Sequence, residues 1–276
     1  MNNNQTIKQY FENNLRHFVQ DLSNEISDSH GKWSIKGFID IYKNIYTISS
    51  DTKIISKILE IHLFPLLVQF ATKYGYKIVL AEHQNYYPDI SFVDIKNENI
   101  RFALDLKTTY RKTETLCNGF TLGSHGAYFT DRNGTKNIQF PYNSYLGHYC
   151  LGVIYNRTSP EKIDETKVFN LEQLNTISSV IGDFQFFVAE KWKIASDKSG
   201  SGNTANIGSI QNIQDILNGN GMFSKLGEEW FDDYWINYRK IKDSNGKLIT
   251  NLLDFVMYKN GDTSLIVNKN NKGSKK

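Results

Sequence analysis

The sequence predicts an α/β fold with a mixed central β-sheet flanked by helices. A long helical stretch begins near residue 51, three strand-like segments follow it in quick succession, and helical and strand signals then alternate through the second half. An earlier helix is marked by Ile7, Tyr10, Phe11, Leu15, Phe18, Val19 and Leu22, which recur at spacings of three and four within residues 6–26. That apolar face suits either the core or a partner helix. Residues 33–46 turn β-branched and aromatic and read as short strands or a hairpin. Ser50-Asp51 caps a helix running to about residue 73, which Pro65 is expected to kink or interrupt.

After Gly75 come candidate strands at residues 76–80, 89–95 and 100–107. The turn signal Asp131-Arg132-Asn133-Gly134 predicts a hairpin joining residues 127–130 to 135–140. Further signals cover residues 142–155, 183–189 and 191–195. Residues 199–206 are a small polar run, a loop on composition, leading into a helix-like segment at 210–217. Trp230, Tyr234 and Trp235 lie in a final acidic-aromatic helix and are assigned to the core. Residues 268–276 form a polar, lysine-rich tail, expected to be disordered. There is no internal repeat.

With 276 residues, 39% hydrophobic and 22% charged, and a mean hydropathy of -0.47, the chain has the composition of a soluble globular protein. Its size suggests one large domain, or a core with a smaller appendage. Apolar runs such as 64–70 and 186–189 fall short of the roughly 18 residues a membrane span needs. The N-terminal residues lack the apolar core of a signal peptide, and a cytoplasmic protein is expected. Cys117 and Cys150 show no CxxC spacing, so two reduced thiols are expected rather than a disulfide or a zinc site. The six histidines show no HExxH pattern. A net charge of +3 does not by itself declare a nucleic-acid binder.

The chemistry concentrates around one strand. In residues 101–107, period two puts Phe102, Leu104 and Leu106 on one face and Ala103, Asp105 and Lys107 on the other. Pro88-Asp89 opens a strand able to pair with it through a turn at 96–99, and proline is tolerated at a strand start. Asp89 and Asp105 would then meet, close enough to share a hard divalent cation, with Lys107 beside them. Mg²⁺ prefers one or two carboxylates plus water and phosphate oxygens, the combination that phosphodiester hydrolysis requires. A lysine there can hold the nucleophile and stabilise developing negative charge. Glu60, on the preceding helix, could supply a third carboxylate or orient a water. A bare D-x-K is frequent by chance, and a solvated strand face is the competing reading.

Pro88-Asp89, followed after fifteen residues by Asp105-Leu106-Lys107, resembles the motif of the PD-(D/E)xK nuclease superfamily. The surroundings are similar to the EcoRV-like type II restriction endonucleases. Ser50-Asp51-Thr52-Lys53, Glu60, Gln84-Asn85, Tyr87-Pro88-Asp89, Asp105-Leu106-Lys107-Thr108-Thr109-Tyr110, Thr135-Lys136-Asn137-Ile138 and the run from Gly200 to Gly208 fall in the same order at similar intervals. The resemblance covers about residues 50–240. It implies a restriction-endonuclease-like core and Mg²⁺-dependent hydrolysis of double-stranded DNA at a short palindrome, GATATC cut to blunt ends.

Residue by residue, the resemblance makes Asp89 and Asp105 metal ligands, Lys107 the catalytic lysine, and Glu60 an acidic helix residue whose part is less direct. It makes Gly200, Ser201, Gly202, Asn203, Thr204 and Asn206 a major-groove reading loop, and Gln84 and Asn85 a minor-groove loop. Thr52, Lys53, Thr108 and Lys136 become further DNA contacts. It also implies a homodimer and a cognate DNA methyltransferase. Residues 1–50 would serve dimerisation, 51–240 catalysis and recognition, and 241–276 would be a C-terminal extension with a basic tail. Ala205 departs from the pattern, replacing a hydroxyl-bearing residue, and residues 121–136 run slightly long.

Two rival readings remain. Gly200-Ser201-Gly202-Asn203-Thr204-Ala205 fits the dinucleotide fingerprint G-x-G-x-x-A, but no acidic residue follows at the spacing a ribose needs. A noncatalytic DNA-binding module is disfavoured by the paired acids, which repel phosphates unless a cation bridges them.

Overall fold

The computed structural model describes residues 3–83, 85–159, 164–200 and 205–267. Helices α1 (Asn3–Phe18) and α2 (Leu22–Ile26) precede a hairpin of β1 (Gly37–Ile39) and β2 (Ile45–Thr47). Helix α3 (Thr52–Tyr74) leads into β3 (Tyr76–Leu80), β4 (Ile90–Asp94) and β5 (Arg101–Tyr110). Then come β6 (Thr121–Ser124), β7 (Gly147–Arg157), β8 (Val168–Phe169), β9 (Ile181–Glu190) and the short α4 (Lys191–Ile194). The chain continues through β10 (Ala195–Ser199), β11 (Asn206–Ser209), α5 (Ile213–Leu217), α6 (Glu228–Asn237) and α7 (Leu252–Tyr258).

The central sheet has the order β3-β4-β5-β7-β9. Only the β5–β7 pair is parallel, so the sheet is mixed, as expected. Period-two alternation along β5 and β7 divides the core. Phe102, Leu104 and Leu106, with Tyr149, Leu151 and Val153, face buried side chains of α1 and α3. Ala103, Cys150 and Ile154 face the opposite layer, which holds the β10-β11-β6 sheet and helices α5 to α7. A third sheet, β1-β2-β8, stands apart with its own small apolar cluster.

Helix α3 starts where the Asp51 carboxylate accepts from the N–H groups of Lys53 (2.8 Å) and Ile54 (3.2 Å). It stops at Gly75, whose left-handed φ of 77° terminates the helix. Pro65 does not interrupt it: Leu59, Leu63, Leu67 and Phe70 are buried on both sides of the proline and anchor the helix to the sheet. This 23-residue helix is, by length and composition, apolar enough to cross a bilayer, which the shorter apolar runs did not suggest. In this fold its buried face packs in the core.

The hairpin expected across residues 127–140 does not form. Ala127–Phe129 is a 3-10 turn, with Ala127 at φ 43°, and it turns Tyr128 and Phe129 into the core. Asp131 closes the following turn by accepting from the Gly134 N–H (3.1 Å), and Ile138 bridges in parallel to Tyr87. The first apolar stripe also resolves: Phe11 and Leu15 are fully buried, and Phe11 stacks on Phe102 at 3.9 Å. It serves the core. The two cysteines are buried and unpaired with each other. The tail at 268–276 lies outside the described residues.

At the end of β9 the buried Glu190 pairs with Lys8 of α1 and with Lys193 at 2.8 Å. Burial works to raise its carboxyl, but the two ammonium groups outweigh it and hold it below the ordinary 4.5. A depressed carboxylate contributes stability that is present above its unfolded value and lost as pH falls through the folded one. Thermal melts should therefore show Glu190→Gln less stable than the parent above about pH 5, with the gap closing in acid. A gap independent of pH would contradict this pairing.

Candidate active site

The antiparallel register of β4 on β5 sets Ile90 opposite Leu104, so Asp89, one residue before β4, arrives beside Asp105. Each carboxylate is tied to the other's strand. The Asp89 N–H donates to Asp105 Oδ1 (3.3 Å), and the Leu106 N–H donates to Asp89 Oδ2 (2.8 Å). Lys107, two residues along the same face of β5, places its Nζ 3.3 Å from Asp105 Oδ2 and 3.7 Å from Asp89 Oδ2. Across from it on β7, Gly152 cannot carry a side chain, because a Cβ would meet the Phe187 ring at 2.0 Å. The structure thus joins Asp89, Asp105 and Lys107.

Sequence reasoning missed a fourth member. Lys191, at the start of α4, is only 5% exposed, and its Nζ lies 2.8 Å from Asp105 Oδ2. The same ammonium sits 3.7 Å from the centre of the Tyr87 ring. Tyr87 is held in turn by a 2.8 Å hydrogen bond between its hydroxyl and His148 Nδ1, and by stacking on Tyr128. No periodicity or motif marks Lys191, which is 86 residues from Asp105 in sequence and reaches it only because β9 ends beside β5's neighbour β7.

Opposed charges set the protonation states. Burial works to raise Asp105, but Lys107 and Lys191 outweigh it and hold the carboxyl at about 2. For Asp89, burial dominates, Lys107 only partly offsets it, and the Asp105 charge adds to it, so its carboxyl is raised. Burial works against the charged form of Lys107, yet Asp105 and Asp89 reverse that and raise it, leaving it a permanent cation. Lys191 is lowered, because burial exceeds the help from Asp105.

Glu60 is not brought into this cluster. It sits half-buried on α3 and pairs with Lys57 at 2.7 Å, while its charge still reaches Asp89 as a minor influence. Among the described residues no three His, Cys, Asp or Glu side chains converge. A cation at this site would draw on Asp89 and Asp105, and two carboxylates with room for water and phosphate oxygens are what Mg²⁺ favours. The donor set fits.

The expected DNA contacts are spread over several elements. Thr52 and Lys53 are exposed at the start of α3, and Asn85 and Lys136 are exposed in loops. Alternation along β5 puts Thr108 on the face of Leu106, away from Lys107. Gln84 and Ser201, Gly202, Asn203 and Thr204 lie outside the described residues. Around them, β10 and β11 pair antiparallel, and the Gly200 N–H donates to the Asn206 carbonyl at 2.8 Å, closing the loop's base. Antiparallel strands on both sides exclude the dinucleotide reading, which needs a strand followed by a helix.

Comparison with known proteins agrees with this geometry. The family described as restriction endonuclease EcoRV matches residues 29–260. The type II restriction enzyme EcoRV of Escherichia coli is 36% identical over 236 residues, which is 85% of this chain and 94% of that protein. A match of this extent, spanning the paired carboxylates, the lysine and the hairpin loop, establishes that the chain belongs to the EcoRV family of type II restriction endonucleases, which are site-specific deoxyribonucleases.

Proposed function

We propose that this endonuclease uses Mg²⁺ to cut double-stranded DNA at GATATC, leaving blunt ends, and that it acts as a cytoplasmic homodimer beside a cognate methyltransferase. The observation that carries the chemistry is the approach of Lys107 to both Asp89 and Asp105. Asp89 and Asp105 would hold the cation, which would supply polarisation of the phosphate and a more acidic water. Lys107, permanently charged, stabilises negative charge as it develops on the phosphate oxygens. The backbone bonds between Asp89 and β5 hold the carboxylates in place before DNA arrives.

The site specificity rests on the residue types in the loop. Asn side chains can pair bidentately with adenine in the major groove, and glycines let the backbone approach base edges, which suits Gly202, Asn203 and Asn206 to direct readout. A central TA step kinks readily and adds discrimination without contact. Gln84, Asn85, Thr52, Lys53, Thr108 and Lys136 are assigned supporting contacts on phosphate and groove, and Glu60 the less direct part of a third carboxylate that orients a water or serves a second metal. A homodimer matches the two-fold symmetry of a palindrome. Its support is the run of exposed apolar side chains on β1 and the turn after it, Phe38, Ile39, Ile41 (87% exposed) and Tyr42 (78% exposed).

Digestion of a fully sequenced plasmid in Mg²⁺, with the product ends sequenced, tests the reading. Blunt ends centred in GATATC are expected. Ends elsewhere would overturn the specificity and leave the nuclease intact. Light scattering should give twice the chain mass of 31.8 kDa, and a single-chain mass at micromolar concentration would overturn the dimer.

A further inference from the structure

Lys191 is an ionic partner of Asp105 that the nuclease motif does not supply. Its ammonium has a built place: Asp105 Oδ2 at 2.8 Å on one side, the Tyr87 ring at 3.7 Å on another, and Gly123 of β6 above. Gly123, at φ 100°, carries no side chain there, and a Cβ at that position would lie 3.4 Å from Lys191 Nζ. Asp105 already has Lys107 at 3.3 Å, so a second buried ammonium is not needed to pair it. Burying a lysine is costly, and a site that keeps one has an effect on whatever else competes for the same oxygen.

Charge balance shows what that effect is. Asp89 and Asp105 carry two negative charges, and Lys107 and Lys191 carry two positive ones. Glu60, whose charge reaches Asp89 only as a minor influence, is paired with Lys57. A divalent cation therefore approaches a neutral cluster in which Oδ2 of Asp105 already accepts from an ammonium, and the missing negative charge is available from a DNA phosphate. We infer that Lys191 is a positioning residue, a resident counter-cation of Asp105 that opposes divalent-cation binding until the substrate phosphate adds its charge. This rests on the proposed metal site at Asp89 and Asp105.

The test is binding of Mn²⁺ alone to the full-length protein without DNA, followed by electron paramagnetic resonance. Lys191→Met keeps the bulk and removes the charge, and should bind Mn²⁺ at least about tenfold tighter than the parent, since a unit charge a few ångströms away is lost. Lys191→Arg keeps the charge and should stay within about twofold of the parent. A role in folding alone would leave Mn²⁺ affinity unchanged or lower it, so either result in a folded Lys191→Met protein overturns the inference. Adding Asp105→Asn to Lys191→Met should remove the gain, and a gain that survives would place the cation elsewhere and also overturn it.

If Lys191→Met does not fold, the parent decides. The ¹⁵N resonance of the Lys191 ammonium, assigned by its absence in Lys191→Arg, should shift on titration with Mg²⁺, and a stationary signal overturns the inference. Mg²⁺-dependent cleavage by the parent is scored separately. Cleavage without tightening in Lys191→Met refutes only the role of Lys191, whereas a parent that cleaves equally well without any divalent cation refutes the metal site and this inference with it.

Discussion

Asp105→Ala should reduce plasmid cleavage in Mg²⁺ below detection, a loss of more than about a thousandfold, and Lys107→Ala should lose at least about a hundredfold. Asp105 accepts from Asp89 N–H and pairs with both Lys107 and Lys191, so no other described side chain can take its place between the two strands. Its removal also leaves Lys191 buried without its carboxylate, which costs stability as well as activity. Asp105→Asn, which keeps the shape, separates the two effects: it should fold better than the alanine variant and remain inactive. Glu60→Ala should lose no more than about tenfold, because Glu60 is turned towards Lys57 and touches neither strand carboxylate. Full activity in an Asp105 or Lys107 variant, or a Glu60 variant as inactive as Asp105→Ala, would contradict this ranking.

The second large effect is on stability. Phe11 is fully buried, stacked on Phe102 at 3.9 Å and set edge-on to Phe70 and Tyr76. Phe11→Ala removes a ring at the point where α1 meets the central sheet and should cost about 3 to 5 kcal/mol. Urea denaturation with an unchanged m-value measures it. A cost below about 1 kcal/mol, accompanied by a weakened dimer, would return the α1 stripe to the subunit interface.

Periodicity and punctuation made much of the fold legible. Strand β3 begins after Gly75 and ends at Leu80, as its alternation and the glycine indicate, and α3 is bounded by its aspartate cap and that same glycine. The paired carboxylates were legible because one short turn joins β4 to β5, so the contact is nearly local. Asp94 fixes that turn by accepting from the N–H groups of Lys96 and Asn97 at 2.8 Å. Where long-range contacts decide, sequence reading failed.

Strand β10, Ala195-Ser196-Asp197-Lys198-Ser199, has no strand composition. It is held by the Tyr234 hydroxyl donating to the Asp197 carbonyl (2.7 Å) and by the Leu252 N–H donating to the Asp197 carboxylate (3.0 Å). Residues 127–140 misled for the same reason: the turn at Asp131 forms, but burial of Tyr128 and Phe129 overrode the strand signals beside it. Lys191 had no local signature at all, since its role exists only after β9 has docked on β7.

The most direct measurement is anomalous scattering from Mn²⁺ in crystals of the protein bound to a GATATC duplex. The predicted result is a peak at the paired carboxylates, within coordinating distance of Asp89 and Asp105. A peak held by Glu60 without Asp105, or none at the paired carboxylates while cleavage in the crystal proceeds, would contradict the placement of catalysis at β4 and β5.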